Sequence, residues 1–243
     1  MDPRLAIVLV SPQGPANIGA AARAMKNFGL ADLRLVGPVP YLNDEAYTWA
    51  CDAKDLLHTA KVYTRLDEAL GDLAFAAAFT RRHGRGRKRH ATLAQASKAI
   101  SMRASDGGAA LVFGREDAGL ANDELARCDM TIGIPTSEEF PSINLAQSVM
   151  LACYELGRSA PDPAEGTAAQ ESYIPREELA DIMVRMGSTL GALGYEDAPD
   201  RPIFTRIMGQ WEKIFGRAGL TPRDASMLEG LLARISEAAR RRP

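Results

Sequence analysis

Three short polar stretches, far apart in the chain, hold the residue types most able to do chemistry. The first is Asn17-Ile-Gly-Ala-Ala-Ala-Arg23. Gly19, Ala20, Ala21 and Ala22 keep a helix start thin enough for another backbone to approach. An arginine on a helix is ordinarily a surface residue, but here its always-charged planar fork could reach a neighbouring phosphate or subunit. The second is Leu111-Val-Phe-Gly-Arg-Glu-Asp-Ala-Gly-Leu120, an apolar strand ending at Gly114 with a charged trio beyond it. The carboxyl-terminal edge of such strands is where open α/β sheets bind ligands. Gly114 and Gly119 permit tight backbone geometry there. The third runs from Gly133 to Leu156: a short strand (131–134), a polar loop, then a helix with Ser142 expected as its N-cap. The unpaired N–H groups of a first helical turn suit a ligand held in the preceding loop, and an ordinary capped core helix would read the same way. Asn144 and Ser148 share one face of that helix, away from the apolar face of Leu145, Ala146, Val149, Ala152, Cys153 and Leu156.

Familiar nucleotide templates fail. Ala20 stands where a phosphate-binding loop needs lysine, and Arg89 stands where the dinucleotide fingerprint begun at Gly84 needs its third glycine. The histidines His58, His83 and His90 are too few and too scattered for a metal site or a Ser–His–Asp triad, and His58 reads as a helix-surface or packing residue. Cys51, Cys128 and Cys153 form neither a disulfide framework nor a metal-ligand spacing, so a reduced cytoplasm is expected. No signal peptide or membrane span is read in the sequence.

The formal net charge is −2, yet Arg81, Arg82, Arg85, Arg87, Lys88 and Arg89 crowd one ten-residue window without an acidic residue. A basic segment on an acidic body is the footprint of a polyanion contact, with a solvated basic loop as the plain alternative.

Positioning the three stretches requires a scaffold. Apolar runs at 5–10, 33–36, 61–63, 74–79, 110–113 and 131–134 read as strands. They alternate with helical patterns at 18–28, within 41–57, and at 66–70, 92–103 and 122–128, so an α/β fold with a mostly parallel sheet flanked by helices is expected. Gly29 is placed to close the first helix. Residues 159–174 form a linker by composition. Beyond it no strand pattern returns, and 175–193, 201–218 and 222–240 read as three helices. Pro175 and Pro222 are expected as first-turn residues. Thr221 with Asp224 forms a capping box with a shortened acid. Trp211 reads as a buried aromatic rather than one stacked on a base, and Met183, Met186, Leu190 and Leu193 as a packing stripe rather than an RNA surface. The domains expected are 1–158, a linker at 159–174, and a helical extension at 175–243.

Taken in order, Asn17…Arg23, then Phe113-Gly-Arg-Glu116 with Gly119-Leu120, then Ile134-Pro135 with Ser142-Ile-Asn-Leu-Ala-Gln147, resemble the motifs of the SPOUT superfamily of RNA 2′-O-methyltransferases. The resemblance covers residues 5–158 and is strongest to the TrmH family, in its TrmJ-type branch acting on tRNA. It implies a sheet whose carboxyl-terminal part threads a trefoil knot, an exception to the usual avoidance of knots. It implies S-adenosylmethionine as methyl donor, with no metal, held by Thr80, Arg81, Gly114, Ile134, Ser142, Ile143 and Leu145. It implies a homodimer with sites at the subunit interface, where Arg23 faces the other subunit's cofactor and the ribose 2′-hydroxyl. Asn17, Glu116, Ser142 and Asn144 would order that arginine and the target nucleotide. The basic segment, Arg82, Arg85, Arg87, Lys88 and Arg89, would track tRNA. The expected activity is methylation of a tRNA ribose at nucleotide 32 of the anticodon loop. A ribosomal RNA methyltransferase of the same fold, or a knotted RNA-binding module without turnover, are the alternatives.

Overall fold

In a computed structural model of the chain, residues 4–80, 90–158, 172–198 and 202–240 are described. The chain divides into two compact units, Met1–Gln170 and Glu171–Pro243.

In the first unit, seven strands form one sheet among the described residues: β1 (Leu5–Val10), β2 (Asp32–Val36), β3 (Lys61–Tyr63), β4 (Phe75–Phe79), β5 (His90–Thr92), β6 (Ala109–Phe113) and β7 (Met130–Gly133). Their order is β3-β2-β1-β6-β4-β7-β5, and every pairing is parallel. Parallel sheets are covered on both faces, which is why β1, β4 and β6 read as unbroken apolar runs. The two faces sort by alternate residue: Leu5, Ile7 and Leu9 of β1 join one core cluster, and Ala6, Val8 and Val10 join the other.

The first cluster holds the helices that bear on the site: α1 (Pro15–Asn27), α2 (Asp44–Ala50), α3 (Lys54–Thr59), α5 (Leu93–Asp106) and α7 (Leu145–Arg158). The second is closed by α4 (Leu66–Leu70) and α6 (Asn122–Ala126). Helix α1 starts at Pro15, earlier than the expected Ile18, because a proline at the first turn lacks only an N–H that would be unpaired anyway. Gly29 does adopt positive φ (71°) just past its end. Strand β5 was not foreseen; it is three residues long and begins at the end of the basic segment, where apolar alternation is too short to register.

A buried charge also sits in this unit. Arg34 on β2 is 1% exposed, yet its guanidinium donates to Asp32, Asp72 and the Ala69 carbonyl. Burial works to raise the carboxyl pKa of Asp72, but the Arg34 hydrogen bond and charge outweigh it and hold it below the ordinary value; the same holds for Asp32, where Lys61 adds to the effect.

The second unit contains α8 (Arg176–Ala192), α9 (Ile203–Ala218) and α10 (Pro222–Arg240), packed around Ile182, Met186, Phe215, Leu220 and Leu232. Thr221 and Asp224 form the reciprocal capping box: the Thr221 N–H donates to the carboxylate and the Asp224 N–H to the hydroxyl oxygen. Pro175 is the N-cap of α8 rather than a first-turn residue. In the packing stripe Met186 is buried, and Met183 and Leu190 lie against it, whereas Leu193 is exposed. Trp211, expected to be buried, is 40% exposed, because one edge of α9 is left uncovered while its ring leans on Phe215 (centroids 5.2 Å apart).

Candidate active site

The carboxyl ends of β4, β6 and β7 lie side by side, and Thr80 after β4, the loop after β6 and the loop after β7 line an open cleft. Its floor is apolar. The rings of Phe79 and Phe113, at the ends of β4 and β6, stack 4.3 Å apart, and Ile132, Ile134 and Leu145 complete the lining. An apolar lining with a few polar groups at the rim is that of a small-molecule site. Of the residues expected to hold a cofactor, Thr80, Gly114, Ile134, Ser142, Ile143 and Leu145 all line this cleft; Arg81 lies outside the described residues.

The loop after β6 is shaped by backbone contact. A Cβ built on Gly114 would stand 2.2 Å from the Gly119 carbonyl carbon, so a side chain there would drive two strands of the loop apart. Gly119 has φ near 67°, the left-handed region. Arg115 straps the loop down with a two-pronged bond to Glu124 (2.9 and 3.0 Å) and another to the Ser11 hydroxyl (3.2 Å). The Glu124 hydrogen bond is the main reason that the Arg115 guanidinium pKa is raised. The Arg115 strut was missed in the sequence, since Arg115 and Glu124 look like separate loop charges until the loop closes.

With Arg115 engaged, Glu116 turns to the start of α1. Its carboxylate accepts from the N–H of Gln13 (2.9 Å), the N–H of Gly14 (3.1 Å) and the side-chain amide of Asn17 (2.8 Å). The carbonyl oxygen of that Asn17 amide accepts from the side-chain amide of Asn144 (2.9 Å). Asn144 in turn accepts from the N–H groups of Ala146 (2.9 Å) and Gln147 (3.3 Å). Asn144 is therefore the N-cap of α7, and the expectation that Ser142 caps it is corrected. Both residue types cap well, but the helical hydrogen bonds begin with the Asn144 carbonyl, accepting from Ser148, which leaves Ser142 in the loop at the cleft. The amide directions follow from these bonds: Asn144 uses its oxygen on the helix, so its nitrogen must donate to Asn17, whose nitrogen must donate to Glu116. Three sequence-distant residues thus form one directional chain.

Arg23 lies elsewhere. It stands two turns further along α1, exposed, and its guanidinium donates to the Cys51 sulfur at 3.2 Å. Gly19 is what brings α2 so near: a Cβ there would meet the Ala46 carbonyl oxygen at 2.2 Å. Arg23 does not line the cleft of its own chain. Arg82, Arg85, Arg87, Lys88 and Arg89 lie outside the described residues. No group of His, Cys, Asp and Glu that could hold a metal ion is found among the described residues, and none of their helices is long and apolar enough to cross a membrane.

The chain is similar to known proteins. The profile described as "SpoU rRNA Methylase family" matches residues 4–154. A tRNA (cytidine-2′-O-)-methyltransferase TrmJ of Methanocaldococcus jannaschii is 39% identical over 153 residues, which are 63% of this chain and 66% of that protein. The Escherichia coli protein named "Uncharacterized tRNA/rRNA methyltransferase LasT" is 39% identical over 235 residues, 96% of this chain and 98% of its own. Among solved structures, TrmJ from Z. mobilis ZM4 superposes with a TM-score of 0.77 at 35% identity, covering 95% of this chain and 98% of that one.

Proposed function

The chain belongs to the SpoU rRNA methylase family, and from that premise we propose that it transfers a methyl group from S-adenosylmethionine to a ribose 2′-hydroxyl of tRNA, at nucleotide 32 of the anticodon loop. The observation that carries the reading is the Glu116–Asn17–Asn144 chain beside the cleft, because it ties the loop after β6, the start of α1 and the start of α7 into one unit. Likeness to proteins named as tRNA 2′-O-methyltransferases supports the substrate class.

The cleft suits the proposed methyl donor. Ile134, Ile143 and Leu145 offer apolar contacts for a flat heterocycle, and the loops after β6 and β7 offer backbone donors and acceptors. When bound, S-adenosylmethionine supplies an electrophilic methyl carbon. The protein's part is to place a hydroxyl in line with it and to stabilise the negative charge left on that oxygen as its proton passes to solvent, while the sulfur keeps the electron pair of the broken S–C bond and leaves as a neutral thioether. Orientation alone supplies roughly 7–11 kcal/mol of such a barrier. Arg23 is assigned to the second task, gripping the ribose oxygen and adjacent phosphate, since its pKa, above about 12, suits a clamp better than a base. Ser142 at the cleft is assigned to the target ribose, while Asn17, Glu116 and Asn144 hold the surrounding backbone.

Because Arg23 does not line its own cleft, the reading requires a second copy whose Arg23 completes the site. Support comes from α7, where Met150, Leu151 and Tyr154 leave an exposed apolar stripe, with Tyr154 edge-on to Phe28 just past α1. The basic segment, which follows Thr80 in the sequence, is assigned to the RNA backbone. A knotted path for β7, the loop behind it and α7 belongs to the same reading. So does residence in the cytoplasm, with Cys51, Cys128 and Cys153 present as thiols rather than disulfides.

Oligonucleotide mass spectrometry of tRNA and, in parallel, ribosomal RNA, each treated with the protein and isotopically labelled S-adenosylmethionine, tests the proposal. Label on a ribose at nucleotide 32 is expected. Label only on ribosomal RNA would favour the second reading, which the name of the E. coli relative keeps in view. Cofactor binding by calorimetry without any transfer would favour the non-catalytic module.

A further inference from the structure

The loop that carries Ser142 also carries the most exposed large hydrophobic side chain described. Phe140 is 77% exposed, while its backbone N–H is fixed by the Ser137 hydroxyl at 3.2 Å. The next three residues, Pro141, Ser142 and Ile143, all line the cleft. A lone exposed apolar residue needs no explanation by itself. Here its place supplies one.

We infer that the Phe140 ring stacks on the base of the nucleotide whose ribose is methylated, an inference that rests on the tRNA methyltransferase reading. The hydroxyl that accepts the methyl and the base are carried on adjacent carbons of one ribose. Once the hydroxyl sits at Ser142, the base must lie at the rim. Phe140 is two residues from Ser142, so its Cα is within about 7.6 Å of that of Ser142. A single-stranded loop nucleotide drawn toward a cleft gives up its neighbours in the stack, and an aromatic ring replaces them without regard to base identity. The charges beside the ring agree with a base rather than the phosphate backbone: Glu138 and Glu139 precede it, both exposed. Two carboxylates within a Debye length, about 8 Å at physiological salt, repel phosphate. They leave the uncharged base as the part of the nucleotide that can approach.

The test is a cycle between side chain and base, using a tRNA transcript with cytidine at the methylated nucleotide and a matched transcript lacking that base. Stacking of this kind is worth about fivefold to 150-fold by alanine substitution. Phe140→Ala is expected to lower kcat/KM at least fivefold on the complete transcript and less than twofold on the abasic one, with Phe140→Trp restoring the rate. Equal losses on both transcripts, or no loss on either, overturn the assignment. A Phe140→Ala protein that changes oligomeric state in sedimentation also overturns it, since the ring would then belong to a subunit contact. A native chain that leaves the complete transcript unmethylated sinks the methyltransferase reading itself, and the stacking falls with it.

Discussion

Replacing Asn144 separates two jobs that its one amide performs. In Asn144→Ala the helix loses its cap, a change that costs about 1 kcal/mol. The amide bond to Asn17 adds about 1 kcal/mol at most, discounted because the pair is exposed. A loss of about 2 kcal/mol lowers Tm by roughly 4–8 °C for a unit of this size. Asn144→Asp behaves differently. The introduced carboxylate still accepts from Ala146 and Gln147, and a negative charge at a helix N-terminus is favourable by about 0.3–1 kcal/mol. It cannot donate, however, so the Asn17 carbonyl oxygen loses its partner, and the amide is pulled between two carboxylates. Thermal unfolding of Asn144→Asp should fall within roughly 2 °C of the native protein, while kcat/KM for tRNA should drop at least about tenfold. The pair of measurements, melting and turnover at pH 7, isolates the direction of the amide chain from the cap. An Asn144→Asp protein with native turnover would refute the claim that the direction matters.

Other perturbations probe other parts. Gly114→Ala should abolish S-adenosylmethionine binding in calorimetry, because the added methyl collides with the Gly119 backbone; unchanged affinity would mean that the loop is not the cofactor's support. Asp72 has a carboxyl pKa depressed in the folded protein, so its contribution to stability is present above the unfolded value near 3.9 and lost as pH falls through the lower folded value. Urea unfolding of Asp72→Asn should therefore show a loss at pH 7 that shrinks below pH ~4; a loss that is the same at both would contradict the pairing with Arg34. A thiol reagent should label Cys51 in the native protein and leave Cys128 and Cys153 untouched until unfolding, the Cys153 thiol being pushed up to about 12 by burial. If the basic segment tracks RNA, charge reversal of Arg85, Arg87 and Lys88 should flatten the dependence of tRNA affinity on salt by about three contacts' worth of slope.

Much of this arrangement was legible in the residues because the physics was local. β1, β4 and β6 announce themselves as doubly covered strands, and the Thr221–Asp224 cap needs only three residues to be seen. Gly19 and Gly114 marked close approaches, and the structure names the partners, Ala46 and Gly119. Six of the cofactor positions expected fall on one cleft. What stayed hidden depends on partners far along the chain. Nothing near Ser142 or Asn144 says which will cap, because that is settled by where the helical hydrogen bonds begin, and Asn144 is also claimed by Asn17, 127 positions away. Arg115 reads as a loop charge until Glu124 and Ser11 are brought to it. Trp211 reads as core because aromatic burial is the rule, and only the packing of α9 shows its exposed edge.

The central claim is that the cleft of one copy is completed by Arg23 of another, and mixed dimers test it most directly. Arg23→Ala retains a sound cleft, and Ile143→Trp, which fills the cleft, retains a sound Arg23; each alone should be inactive. Co-expressed in equal amounts, they form hybrid dimers in which one of two sites is whole, so the mixture should recover about a quarter of native turnover per chain. A mixture as inactive as its components, with hybrids demonstrated by differential tags, would contradict the account.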